Sequence, residues 1–239
     1  MITYPVNANG DSNAGILFMT APTASTARPA PGVVSAWWRR IAEWLRPAPI
    51  ETVEVFQQFV QERASLIAQK CAIDYCRGKT GLASYALFTE QPFLKALDVC
   101  RWEAFVSVLG DLLIVAEGCL RPHVRPEARP RLGEAFIDLY SAVLMPLPAP
   151  LHRPQGWDDA IASFNLRMRS VVAGEPQQAL DVADHSAKRL FDTLPIHSSM
   201  RDLDEEVVYG AVRFRMVAVS QEMQRRVVAD ELAKALVGS

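Results

Sequence analysis

A single carboxylate, Asp111, sits where an apolar helix is predicted, and a charge in such a place can do chemistry. The run Ala104 to Leu120 is apolar on nearly every side when it is plotted as a helix. Only a narrow strip with Glu103, Gly110 and Glu117 looks polar. A helix of this kind is typical of the centre of a bundle, so we predict that Asp111 is a buried carboxylate.

Further charges fall within apolar helical faces: Arg63, Lys70 and Asp74 in the helix that begins at Glu51, and Arg215 and Glu222 in the last helix. A buried charge costs several kcal/mol unless an opposite charge pairs with it, so we expect ion pairs across helices. The simplest predicted network pairs Arg63 or Arg215 with Asp111, and Arg215 with Glu222.

This predicted network has three interpretations. It can be a structural set of ion pairs, or the long side chains can extend from buried stems into solvent. It can also line a polar pocket for a ligand or for catalysis. The spacing alone leaves all three open.

A second pattern is a tryptophan-rich amphipathic segment from Val33 to Arg46. Its apolar side chains fall in one sector of about 140° at 100° per residue. Tryptophan suits a boundary between water and an apolar phase, and arginine beside it suits anionic groups. The residues predicted to dock are Trp37, Trp38, Ile41, Trp44 and Leu45, with Arg39 and Arg40 next to them.

Three targets fit this docking segment. It can pack on its own domain or on a second copy, giving a homodimer, it can bind a protein partner, or it can lie on a membrane surface. From Thr20 to Gly32 the chain consists mainly of Ala, Pro, Thr and Ser, which cannot bury enough surface to offset the loss of chain entropy. The sequence therefore predicts a flexible arm at 1–32, a docking helix at 33–46 and an α-helical domain at 50–239.

Histidine and cysteine spacing argues against a metal site. A di-iron bundle needs Glu-x-x-His motifs, and His123 and His152 lie in proline-rich stretches instead. Cys71 and Cys76 are five positions apart, which is not a zinc-knuckle spacing. We therefore predict no metal and no cofactor, and we expect the cysteines to be reduced and buried.

Composition narrows the class of protein. The chain has 239 residues with 25 Lys and Arg against 27 Asp and Glu, and half of its residues are hydrophobic. A net charge of −2 argues against nucleic-acid binding, which needs a basic excess. No stretch has the pattern of a signal peptide or a membrane span. We expect a cytoplasmic protein, with peripheral attachment to the inner face of a membrane as the alternative.

Helical periodicity, interrupted by proline and glycine, covers most of the chain. It predicts an all-α fold, a single bundle of six or seven helices with a flexible N-terminal arm. The predicted helices are 33–46, 51–77, 92–120, 130–145, 157–173, 176–194 and 203–237.

Two functions follow from these patterns. The first is a non-catalytic helical adaptor, assembly helper or regulator that binds a protein partner, with a membrane surface as a further docking place. The second is a helical enzyme or small-ligand-binding protein with a polar cavity around Asp111, Arg63, Arg215 and Glu222. The lack of a catalytic motif favours the first.

Overall fold

Helices make up nearly all regular structure in residues 48–238, the part that the computed structural model of the chain describes. The all-α prediction is confirmed, and the predicted arm and docking helix lie outside these residues. Short helical turns connect the longer helices. The seven longer helices of this part are α1 (Val53–Thr80), α2 (Gln91–Leu120), α3 (Arg129–Leu144), α4 (Asp158–Ala173), α5 (Ala179–Thr193), α6 (Glu205–Arg226) and α7 (Ala229–Val237).

The central helix of the bundle is α2. Pro92 lies in its first turn, where the backbone N–H that proline lacks would have no acceptor within the helix. Every residue from 103 to 117 is buried, including Asp111. The strip of Glu103, Gly110 and Glu117 is therefore not a polar edge, because Phe164 of α4 packs next to Gly110 and Arg189 of α5 contacts Glu103. Within residues 48–238, no helix combines the length and apolar content needed to cross a membrane.

The last predicted helix, 203–237, is wrong as a single element, because the structure divides it into α6 and α7. Val227 and Val228 leave the helical conformation between them. The Ile50 amide donates to the Arg226 carbonyl (2.8 Å) and the Val228 amide to the Ile50 carbonyl (3.0 Å). Ile50 is completely buried. This pairing with a distant residue interrupts the helix, and local periodicity does not reveal it.

Helices α3 and α4 are in close contact at Gly133. A Cβ atom there would lie 2.6 Å from Cγ2 of Val172. We expect Gly133→Ala to lower the free energy of unfolding by about 1–3 kcal/mol, the usual effect of overpacking, although alanine favours helix formation. Urea unfolding followed by circular dichroism measures this change.

Two variants control the Gly133 prediction. Gly210→Ala on α6 adds a Cβ that meets no atom within 4 Å, so it should stabilise the protein by about 0.5–1 kcal/mol. Val172→Ala removes the clashing methyl groups and should recover stability when it is combined with Gly133→Ala. Equal stability of the two single glycine variants would show that the helices are not in close contact here.

Candidate functional site

One face of α2 carries a polar stripe in spite of its burial. Glu103, Ser107 and Asp111 are four residues apart, so they follow one another along the same face. Glu103 and Ser107 line a cleft of about 300 Å³ between α2, α4 and α5. The other polar residues that line it are Arg153 from the α3–α4 loop, Asp159, Ser163 and Arg167 of α4, and His185 and Arg189 of α5.

At one end of this cleft, the carboxylate of Glu103 contacts three basic side chains. Arg153 donates to both of its carboxylate oxygens (2.6 and 2.9 Å), and Arg189 donates to Oε2 from Nε (2.9 Å) and Nη2 (2.5 Å). His152 Nε2 lies 2.9 Å from Oε1. Burial alone raises the pKa of Glu103, but the hydrogen bonds from Arg153, Arg189 and His152 outweigh it and bring the pKa to about 2.

Asp111 does not line the cleft, but it is buried next to it and holds the lining residue Arg167. Its Oδ1 accepts from Arg167 Nη1 (2.5 Å), and its Oδ2 accepts from the backbone N–H of Ser186 (3.0 Å). The same Nη1 lies 2.9 Å from Nδ1 of His185. Because a guanidinium can only donate, this contact makes Nδ1 an acceptor and places the proton of the neutral ring on Nε2.

Exposure differs among the charged residues of the cleft: Asp159 is 72% exposed, whereas Arg153 is only 12% exposed. The side chains of Glu103 and Asp111 are 5% and 0% exposed, whereas those of Arg189 and His185 are 47% and 51% exposed. The contacts of Arg189 within residues 48–238 use Nε and Nη2, which leaves the N–H groups of Nη1 for a ligand. A molecule entering the cleft therefore meets the exposed side chains of Arg189 and His185, and also the carboxylate of Asp159.

The predicted partners of the charged residues are wrong. Arg63 pairs with Glu222 through two hydrogen bonds (2.8 and 2.7 Å), and Arg215 pairs with Asp74 (3.1 Å). Arg215 and Glu222 are seven residues apart on α6, about 10 Å along its axis, which is too far for a pair. Asp111 is buried beneath the α2–α4–α5 cleft and contacts Arg167, one of its lining residues, so the four predicted residues do not share a cavity.

Sequence reasoning missed most of the residues that build the cleft. The four-residue spacing of Glu103, Ser107 and Asp111 is a signal that could have identified its floor. Arg153 lies in a proline-rich loop, and its sequence position gives no indication of its partners.

The cysteines offer no activated nucleophile. Cys71, Cys76 and Cys100 are buried as predicted, and Cys119 is partly buried. Burial raises the pKa of Cys76 to about 12 and that of Cys71 to about 11, so these thiols stay protonated at neutral pH. Among residues 48–238, no three His, Cys, Asp or Glu side chains lie close enough together to hold a metal ion.

Stability should depend on pH through Glu103. A folded-state pKa of about 2, below the ordinary 4.5, means that the folded protein binds fewer protons than the unfolded chain. The stabilisation from this carboxylate is present above about pH 4.5 and is lost as the pH falls towards 2. Urea unfolding at several pH values should show this decline, and Glu103→Gln should flatten it. An unchanged slope in Glu103→Gln would contradict the assignment.

Glu222, which lies outside the cleft, should contribute to the pH dependence of stability in the same way as Glu103. The hydrogen bond from Arg63 is the main cause that lowers its pKa to about 2. Glu222→Gln should therefore remove a different part of the same acid dependence.

No protein-family model matches this chain, and no curated protein or solved structure matches it either.

Proposed function

We propose that the protein binds a small ligand with a carboxylate or phosphate group in the cleft between α2, α4 and α5. The observation that carries the proposal is the arrangement of donors and acceptors in this cleft. The side chains of Arg189 and His185 are half exposed, while the carboxylates of Glu103 and Asp111, which contact these arginine and histidine residues, are buried. This arrangement supports binding, and no catalytic step is part of the proposal.

Guanidinium groups suit this role because their planar N–H groups match the oxygens of a carboxylate or a phosphate. Glu103 holds Arg189 and Asp111 holds Arg167, so both groups are oriented before a ligand arrives. Such orientation reduces the entropy that binding costs.

The size and charge of the cleft limit the size and the charge of a ligand that it can bind. A volume of about 300 Å³ is at the small end of the range for ligand pockets. Its three arginines are balanced by the carboxylates of Glu103, Asp111 and Asp159. A compact ligand with one anionic group therefore fits better than a polyanion.

Isothermal titration with inorganic phosphate and with acetate, at constant ionic strength, tests this proposal. We expect saturable binding of at least one probe, and Arg189→Ala should weaken it at least tenfold, since a hydrogen bond to a charged group contributes about 1.5–3 kcal/mol. Glu103 keeps Arg153 and His152 in this variant, so the fold should persist. Preferred binding of phosphate would indicate a phosphate ester, and preferred binding of acetate would indicate a carboxylate.

The control is Arg225→Ala, which removes an exposed arginine in the last turn of α6. It should leave the affinity unchanged. Equal losses in the two arginine variants, or no saturable binding of either probe, would overturn the proposal.

The non-catalytic adaptor is our second candidate, and a large groove favours it. The groove has a volume of about 680 Å³ and lies between the end of α2, the start of α5, α6 and α7. Leu180, Val217 and Met223 give it an apolar lining that suits an amphipathic helix of a protein partner. A photo-cross-linker at position 180 should capture that partner, and one at the exposed Leu166 should not. The purified partner should bind Leu180→Glu more weakly, and equal binding would exclude this groove.

The tryptophan-rich segment lies outside the described residues, and both its docking and the cytoplasmic location stay predictions. Co-sedimentation with anionic phospholipid vesicles distinguishes a membrane surface from the protein targets of this segment. If residues 33–46 bind a membrane surface, the intact chain sediments and a chain that begins at Ile50 does not. Equal sedimentation would exclude the membrane version.

A further inference from the structure

Helix α6 carries an exposed apolar seam, which we define as Val207, Ala211, Phe214 and Ala218. Phe214 is 75% exposed and Val207 is 64% exposed. The four positions are separated by four, three and four residues, which is the spacing of the contact positions in a coiled coil. The buried face of α6, which includes Val212 and Met216, is a different one. The α6 seam is therefore available to another helix.

We propose that the α6 seam packs antiparallel against the α6 seam of a second copy of this chain. A two-fold axis between positions 212 and 213 places Val207 opposite Ala218 of the second copy, and Ala211 opposite Phe214. Each large side chain then faces a small one, as a self-complementary interface requires. In a parallel pair, the two Phe214 side chains would meet each other and the alanines would face a gap.

A groove beside the seam provides room for the aromatic ring. Ala211, the residue opposite Phe214 of the second copy, lines a groove of about 390 Å³ between α1 and α6. Cys71, Tyr75 and Gly78 of α1 also line it. The side chain of Phe214 can thus be buried between α1 and α6 of the other copy.

The charges at the two ends of α6 also favour antiparallel pairing. The first turn of α6 carries Glu205 and Glu206, and its last turn carries Arg225 and Arg226. An antiparallel pair brings the acidic start of one helix towards the basic end of the other. A parallel pair would place like charges side by side, which is unfavourable.

Sedimentation velocity of the full chain over a range of concentrations tests the association. We expect a monomer–dimer equilibrium whose dissociation constant rises at least thirtyfold in Phe214→Glu, the factor expected for a hot-spot residue. The matched control is Leu166→Glu, which changes an equally exposed leucine of α4 and should leave the equilibrium intact. A monomer at all concentrations, or equal effects of the two variants, would overturn the proposal.

The direction of pairing has its own measurement. The register places position 221 opposite position 204 of the second copy, so spin labels at Gln221 should be about 26 Å apart along the helices. Parallel pairing would instead give roughly 10 Å, the separation of packed helices, and would contradict the register. This interface does not rest on the ligand cleft, so either proposal can fail without the other.

Discussion

Replacing Glu117 by alanine should lower the free energy of unfolding by about 3–5 kcal/mol, because it leaves a buried guanidinium without its carboxylate. Glu117 is completely buried on α2 and accepts two hydrogen bonds from Arg121 (2.9 and 2.8 Å). The same guanidinium donates to the carbonyls of Val171 and Gly174 at the end of α4 (2.8 and 2.6 Å). The ion pair therefore also fixes the position of α4.

Chemical denaturation measures this loss, and an exposed pair with the same spacing is the control. Lys188 and Asp192 are also four residues apart on a helix, at 3.0 Å, but both are largely in solvent. Asp192→Ala should leave the free energy of unfolding nearly unchanged, because exposed pairs contribute little. Similar effects of Glu117→Ala and Asp192→Ala would show that burial does not determine the strength of the first pair.

Glu103→Ala should lower the free energy of unfolding by about 1–3 kcal/mol, because the hydrogen bonds to this carboxylate are lost, and should also weaken phosphate or acetate binding. The variant removes the acceptor that holds Arg153 and Arg189 at the cleft. Arg153 keeps Asp159 as a partner, whereas Arg189 loses its carboxylate and its fixed orientation. Both stability and affinity should therefore fall together.

The comparison with Arg189→Ala separates anchoring from ligand contact. Arg189→Ala should weaken binding with little loss of stability, because the carboxylate of Glu103 keeps its other donors. Thermal unfolding and titration of both variants provide the two readouts. Higher stability in Glu103→Ala is the result expected of a carboxylate held unpaired for function, and it would contradict the account.

Much of the helical structure could be predicted from the sequence, because helical periodicity is a local property. The burial of Asp111 was predictable for the same reason, since its neighbours on nearly every side of α2 are apolar. The break between α6 and α7 was not predictable, because it depends on Ile50, far away in the chain.

The ion-pair partners of the charged residues could not be predicted from the sequence either. Asp111 takes Arg167 of α4 and the backbone N–H of Ser186 of α5 as partners, and the positions of these helices beside α2 follow from tertiary packing. The prediction considered only Arg63 and Arg215 as partners. Those two arginines pair instead with Glu222 and Asp74, where α1 and α6 lie side by side.

NMR of the arginine side chains during a phosphate titration tests the cleft most directly. The account predicts that the Nε–H signals of Arg189 and Arg167 shift and saturate together, while the signal of the exposed Arg225 stays in place. Equal shifts of Arg225, or unchanged signals of Arg189 and Arg167 at saturating phosphate and in a parallel acetate titration, would contradict an oxyanion site between α2, α4 and α5.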